Sequence, residues 1–425
     1  MSTGPTAIRQ KPKSLCERVR STNVLVRAWH AIRRNAETSR TNSTKQEARD
    51  FGQELPKNIR RIQDRLRRGY KFEKAFGATP AKGGGKVGKR PIVVAPLADR
   101  IVQRAILDVL HDAAELARVQ AVLSTPTSIG GIRGRGVDDA IALFDKSYRE
   151  GARFVAGSDI SGFFTKIPRQ KVLDVLRADT DEEPFLELLD SALKVELSNA
   201  DTLSDDDRKL FPTGVDGVAQ GCPLSALAGN IVLEAFDKQM NEPGRGIVCI
   251  RYIDDFILMG RSQAQVLKAM QSAKAHLAGL GMDIYEPATD PKKAFCGPIG
   301  EPHDFLGYEI VPGQYRPSQA ACDRLVGRVD ALLQEGRLTI RRVVSGKRLT
   351  PQDLCYVQTI AAIDNTVRGW RGSFRSTVCK DVFDHLDRTI ERRLNDFEAF
   401  FRSHTAKSSQ GVRRRALGVS LLAAL

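Results

Sequence analysis

The sequence predicts an α+β fold built around an antiparallel sheet, and three observations carry that expectation. The first is RYIDDFILMG, residues 251–260, preceded by the apolar run Ile247, Val248, Cys249 and Ile250. Two β-rich segments joined by Asp254-Asp255 read as a tight hairpin with both carboxylates at its tip. The second is GSDISGFFTKI, residues 157–167, a strand running into a turn, in which Asp159 is the one acid among apolar and small residues. The third is a helical period in the segments on either side of these strands.

Taken in order, residues 1–20 read as a flexible basic arm and residues 21–75 as mostly helical, with RRIQDRLRRGY (60–70) strongly basic. KGGGKVGK (82–89) reads as a cationic loop, suited to closing over phosphates or forming a solvated hairpin tip. Asp99 to Leu110 reads as a helix with Ile101, Ala105 and Val109 on one face and Arg100 and Arg104 on another. Residues 178–208 read as an acid-rich surface insertion, because acids there would repel a nucleic-acid backbone. GVAQGCPLSALAGNIVL (217–233) opens with a Gly-rich turn at Gln220-Gly221 and becomes an apolar helix through Leu224, Leu227, Ile231 and Leu233. Near the C-terminus, Val382, Leu386 and Ile390 form a packing stripe, while Arg388, Arg392 and Arg393 lie elsewhere on the same helix. Trp370 is expected in the core. The tail ALGVSLLAAL is too short to span a bilayer and is expected to pack on the last helices.

At 425 residues the chain can bury a large core in two or three subdomains. Its 66 Lys+Arg against 51 Asp+Glu leave a net charge of +15, a balance that favours polyanion partners. No run of about 18 apolar residues is present, so no spanning helix and no membrane partner is expected. The N-terminus lacks the apolar stretch of a secretory signal. Seven scattered cysteines form no CxxC pair, which argues against a zinc site or disulfide framework and for a reducing cytoplasm.

Two adjacent acids inside an apolar hairpin are costly unless cations neutralise them. A third carboxylate, Asp159, about 95 residues earlier would complete a cage for two Mg²⁺ ions, hard cations that take oxygen ligands. Such a pair serves nucleotidyl transfer. The plainer alternatives are an Asp-Asp turn capping an ordinary hairpin and an N-capping Asp at a strand-to-helix junction.

In order and spacing, Asp159 with Phe163-Phe164, Gln220-Gly221 with Ser225 and Asn230, and Tyr252-Ile253-Asp254-Asp255 resemble the successive motifs of the reverse transcriptase palm. TPAKGGGKVGKRPIVVAPLADRIVQRAILDVL (79–110) resembles the fingers of group II intron-type bacterial enzymes. FLGYEI (305–310) resembles the motif at the palm's end, and residues 363–394 resemble the thumb, or maturase-type, region. The resemblance covers roughly residues 55–400. It implies a right-hand polymerase with fingers, a palm whose antiparallel sheet carries the YIDD hairpin, and a helical thumb. The expected division is an N-terminal basic helical extension at 1–55, fingers at 56–150, palm at 151–312 and thumb at 313–425.

The same resemblance implies site residues. Asp159 and Asp254 would bridge both metals, with Asp255 as third acid and the carbonyl of Ile160 as a main-chain ligand; Mn²⁺ is a substitute for Mg²⁺. Lys82 and Arg90 would grip the incoming triphosphate, and Lys292 or Lys293 stands where a basic residue usually precedes FLGYEI. Phe164 would lie under the sugar and exclude a 2′-hydroxyl. Gln220 and Gly221 would meet the nucleotide or template pair, and Tyr252 the primer end. Arg100, Arg104, Arg133, Arg135, Arg388 and Arg392 would contact nucleic acid. One departure is clear: the family's usual Ser-Tyr-Gly-Phe-Arg is replaced by Ser128-Ile129-Gly130-Gly131-Ile132-Arg133.

The implied partners are dNTPs, a structured noncoding RNA template and its cDNA product, with oligomeric state open. No nuclease of the HNH type fits after residue 400, and the retron Val-Thr-Gly signature is not found. The first expectation is a stand-alone enzyme of the kind found in antiphage defence. The alternatives are a group II intron maturase acting mainly as an RNA-binding splicing factor, and a retron-type enzyme.

Overall fold

The computed structural model describes residues 13–37, 42–81, 88–350 and 353–419. The chain opens with helices α1 (Leu15–Val19), α2 (Thr22–Glu37), α3 (Asn42–Gln53) and α4 (Leu55–Arg67). The expected flexible arm is corrected from residue 13 onward. Ser14 caps α1 in a reciprocal capping box with Glu17, and Leu15 and Val19 are fully buried.

A two-stranded ribbon follows, β1 (Phe76–Ala78) with β2 (Ile92–Val94), and then helices α5 (Leu97–Asp112), α6 (Ala117–Ser124) and α7 (Val137–Arg149). In α5 the expected face is inside: Ile101, Ala105 and Val109 are each at most 1% exposed.

The central sheet begins with β3 (Phe154–Ser161). A 3-10 turn over Phe163–Lys166 leads to α8 (Arg169–Arg177), α9 (Glu183–Leu193), the short α10 (Asp205–Arg208) and α11 (Ser225–Met240). Here the expected surface insertion at 178–208 is corrected. Its middle is α9, whose Phe185, Leu186, Leu189, Ala192 and Leu193 are buried in the main core. Its acids lie on the outer side, and Asp207 pairs with Lys89 at 2.8 Å.

The hairpin β4 (Ile247–Tyr252) and β5 (Asp255–Gly260) comes next, followed by α12 (Gln263–Ala278), β6 (Asp283–Ile284) and β7 (Ala294–Pro298). The order in the sheet is β4-β5-β3-β6, with β7 also pairing β3, and every pairing is antiparallel. The two-residue period of a strand divides the side chains between two cores. Ala156, Ile160, Phe256 and Leu258 pack with α8, α9 and α11, whereas Val155, Ile257 and Met259 pack with α7 and the segments beyond the sheet.

A three-stranded ribbon, β8 (His303–Phe305), β9 (Tyr308–Val311) and β10 (Gln314–Pro317), precedes α13 (Gln319–Val344), α14 (Tyr356–Ser373), α15 (Lys380–Thr405) and α16 (Gln410–Leu417). These helices share their own core, with Leu386 and Ile390 inside and Val382 packed against it as the stripe predicts. Trp370 is half-buried and donates Nε1–H to the Ala321 carbonyl at 3.3 Å. Ala416 in α16 is fully buried in the same core. Among the described residues no helix is long and apolar enough to cross a membrane.

Candidate active site

The hairpin turn has two residues, Ile253 and Asp254, between paired Tyr252 and Asp255. The register of β3 on β5 then sets Asp159 directly opposite Asp255. Asp254 is tied to the same place from the other side, because its carbonyl accepts the Ile160 N–H at 3.0 Å. Residues far apart in sequence therefore converge at one end of the sheet.

Burial pushes the Asp254 carboxyl above its ordinary value; bonds from its own backbone and from Asp159, and the charges of Lys293 and Arg251, offset this only in part. Lys293 stands 3.9 Å from Asp159 and 3.5 Å from the centroid of the Tyr285 ring. Burial would raise the Tyr285 hydroxyl, but hydrogen bonds with Lys293 and Ser161 hold it below its ordinary value. Between the two candidate lysines, it is Lys293 that reaches the carboxylates, while Lys292 is exposed.

Among the described residues no group of three His, Cys, Asp or Glu side chains is drawn together for a metal ion. Asp159 and Asp254 are the close pair, with Lys293 beside them. The donor set still fits Mg²⁺, which is held through one or two carboxylates together with waters and substrate phosphates rather than in an all-protein cage.

The neighbouring motifs arrive on two elements. Phe163 is core, while Phe164 is half-buried and its carbonyl accepts the Val218 N–H at 2.7 Å. The Gln220 carbonyl accepts from the Val93 N–H at 2.9 Å, which docks the Gln220-Gly221 turn on β2. Gly221 has φ 115°, and a Cβ there would lie 2.8 Å from the Val93 carbonyl. Gly221→Ala is therefore expected to cost about 1–3 kcal/mol through backbone strain. A lowered thermal midpoint checks this; an unchanged one would mean that the turn relaxes away from β2.

Arg90 is exposed beyond β2, its N–H bonded to the Pro80 carbonyl. Lys82 lies outside the described residues. Arg100 is half-buried, and burial lowers its guanidinium's proton affinity. Arg104 and Arg133 converge on buried Asp108 at 3.0 and 3.2 Å. Arg135 turns inward, donating to the carbonyls of Thr125 and Ser128. Arg388 and Arg392 are exposed on α15. The structure thus gathers Asp159, Asp254, Asp255, Tyr252, Ile160 and Lys293 at one end of the sheet.

One residue of the site escaped sequence reasoning. Arg251, 1% exposed, lies beneath the turn in a buried pair with Asp237 at 2.5 Å. It also donates to Asn230 Oδ1 at 2.9 Å and Ser128 Oγ at 2.8 Å. The available signal was an arginine inside an apolar strand, which demands a buried partner. Asp237 inside the apolar helix α11 is that partner.

The fold is that of a polymerase, with a strand-borne Asp set against an Asp-Asp hairpin. A match to the family described as reverse transcriptase (RNA-dependent DNA polymerase) spans residues 80–310, more than half of the chain, and the chain belongs to that family. Protein YkfC of Escherichia coli (strain K12) is 30% identical over 191 residues, which is 43% of this chain and 46% of that protein. The chain thus matches less than half the length of this relative. Among solved structures, a chain of a partial Cas6-RT-Cas1–Cas2 complex aligns with a TM-score of 0.35 and 22% identity, over 63% of this chain and 43% of that one. Apo telomerase from Candida tropicalis, truncated from its C-terminal domain, aligns with a TM-score of 0.39 and 14% identity, over 58% and 55%.

Proposed function

We propose that the chain copies an associated structured noncoding RNA into cDNA, in antiphage defence. The observation that carries the polymerase part is the register that sets Asp159 opposite Asp255, with Asp254 on the turn, inside the matched region. The associated RNA and the defence role rest on the resemblance to stand-alone enzymes of group II descent.

Asp159, Asp254 and Asp255, with the Ile160 carbonyl, would hold Mg²⁺, or Mn²⁺ in its place. When bound, such ions lower the pKa of an attacking 3′-hydroxyl and stabilise charge on the triphosphate. Arg90, Lys82 and Lys293 supply positive charge to the triphosphate. Gln220 and Gly221 seat the nucleotide or template pair, and Tyr252 supports the primer end. The exposed Arg388 and Arg392 of α15, with Arg100, Arg104 and Arg133 on the opposite side of the chain's sequence, supply sequence-independent backbone contacts.

Phe164 is the sugar selector in this mechanism. Phe164→Ala is expected to lower discrimination against ribonucleotides by about tenfold or more. Single-nucleotide incorporation with dNTP and rNTP pairs measures it, and unchanged discrimination would remove Phe164 from that role.

Sequencing of RNA co-purified with the tagged protein tests the whole proposal. It is paired with cDNA from wild-type and Asp254→Ala/Asp255→Ala cells, with and without phage. One discrete RNA whose complementary DNA vanishes in the double variant, together with lost phage protection, is expected. Bound intron RNA, normal splicing in the variant and no cDNA would instead identify a maturase.

A further inference from the structure

We infer that Arg251 is a positioning residue for the catalytic turn, acting by holding Ile253 in a left-handed backbone conformation. This rests on the polymerase function proposed above.

Ile253 has φ 61° and is one of two non-glycine residues with positive φ among the described residues. For a β-branched side chain this conformation is strongly disfavoured and persists only where the surroundings impose it. Two contacts impose it here. Arg251 Nη1 donates to the Ile253 carbonyl at 2.8 Å. The backbone at Gly130 presses close on the other side, where a Cβ would lie 2.7 Å from the Ile253 nitrogen.

The guanidinium cannot follow the turn if the turn moves. Its remaining N–H groups are held by Asp237 at 2.7 and 2.5 Å, by Asn230 at 2.9 Å and by Ser128 at 2.8 Å. Asn230 in turn donates to the Gly130 carbonyl at 2.9 Å, so the arginine and the Gly130 loop form one buried frame around Ile253. Backbone pairing extends it, with Arg251 N–H on the Thr127 carbonyl at 2.9 Å and Ile129 N–H on the Arg251 carbonyl at 2.8 Å.

The consequence falls on the next residue. Fixing ψ and the carbonyl direction of Ile253 sets the peptide plane from which Asp254 starts, and the Asp254 carbonyl is what receives the Ile160 N–H at 3.0 Å. Misplacing a reacting group by about 1 Å can cost on the order of a hundredfold in rate. Arg251 touches no reacting atom in this scheme; it sets where Asp254 stands.

The test uses the full chain and two variants. Arg251→Met/Asp237→Leu removes both buried charges together, which leaves neither partner unpaired. Arg251→Lys keeps a charge for Asp237 but lacks the planar fork needed to serve all four acceptors. Primer extension on an RNA template gives kcat and the KM for dNTP, and amide exchange of the metal-free protein reads the turn directly through the Ile160 N–H. The expected result is a kcat lowered at least tenfold, with KM for dNTP and primer-template affinity within twofold of wild type. Exchange at Ile160 should rise at least tenfold, while Ala156 and Leu258 in the same sheet keep their protection. Adding Ile253→Asn, a residue that adopts positive φ more readily, should restore kcat severalfold.

A folded variant with wild-type kcat and wild-type Ile160 exchange would overturn the inference. So would a kcat loss matched by exchange across the whole sheet and unrelieved by Ile253→Asn, because that is loss of the fold. An inactive wild-type chain would overturn the polymerase proposal itself, and the exchange of Ile160 would then decide the structural role alone.

Discussion

Asp254→Asn is expected to lower DNA synthesis by a factor of about 10³ or more while raising the melting temperature at neutral pH by about 1–3 °C. The loss follows from removing a charged oxygen donor at the point where Asp159, Asp254 and Lys293 meet. The gain follows from the same burial. Desolvation raises the Asp254 carboxyl above its ordinary value of 3.8 in the folded chain. A group that holds its proton more tightly when folded contributes stability that is complete below the unfolded value and is lost as pH rises through the folded value. Above the unfolded value the wild type bears the cost of ionising this partly desolvated acid, and the asparagine variant does not. The difference in melting temperature should shrink as pH falls through the folded value and vanish near 3.8 and below. Added Mg²⁺ should raise the wild-type midpoint more than the variant's, since only the wild type keeps both close carboxylates. A variant less stable than wild type at pH 7 would show that Asp254 contributes to the fold as well as to the chemistry.

Arg251→Ala is expected to destabilise the fold by about 3–5 kcal/mol, because it leaves the Asp237 carboxylate buried and unpaired. Asp237 is 2% exposed, and Arg251 is its ion-pair partner at 2.5 Å. Stabilities of folded chains are typically about 5–15 kcal/mol, so the variant should lose most of its soluble protein. Arg251→Met/Asp237→Leu, which removes both charges, should recover soluble protein and most of the denaturant midpoint. Equal losses in the single and double variants would mean that packing volume, rather than the unpaired charge, is what the site requires.

The site was legible in part, for reasons that separate cleanly. The hairpin could be read because apolar runs flank Asp254-Asp255, and β3 because Asp159 interrupts an apolar stretch. Their alignment could not, since register between distant strands leaves no local trace, and it is register that sets Asp159 opposite Asp255. The sharing of β3 between β6 and β7 was hidden for the same reason. In α9 the acids of the 178–208 stretch masked an apolar face of Phe185, Leu186 and Leu189. The first helix was missed because α1 has only five residues, stabilised by burial of Leu15 and Val19 rather than by a long periodic pattern. Arg251 was overlooked beside the acids it supports, although an arginine in a buried strand carries its own demand for a partner. The three acids were expected together from the order and spacing of their motifs, whereas the choice between Lys292 and Lys293 was open in the sequence and is made by the approach of Lys293 to Asp159.

The central claim is templated DNA synthesis at the Asp254 turn. Primer extension by the purified full chain tests it most directly, on an RNA template with dNTPs and Mg²⁺, beside Asp254→Ala/Asp255→Ala at matched folding. Template-directed DNA from the wild type and none from the double variant is the predicted result. Equal extension by both, or none by a folded wild-type chain on any primed RNA, including RNA that co-purifies with it, would contradict it.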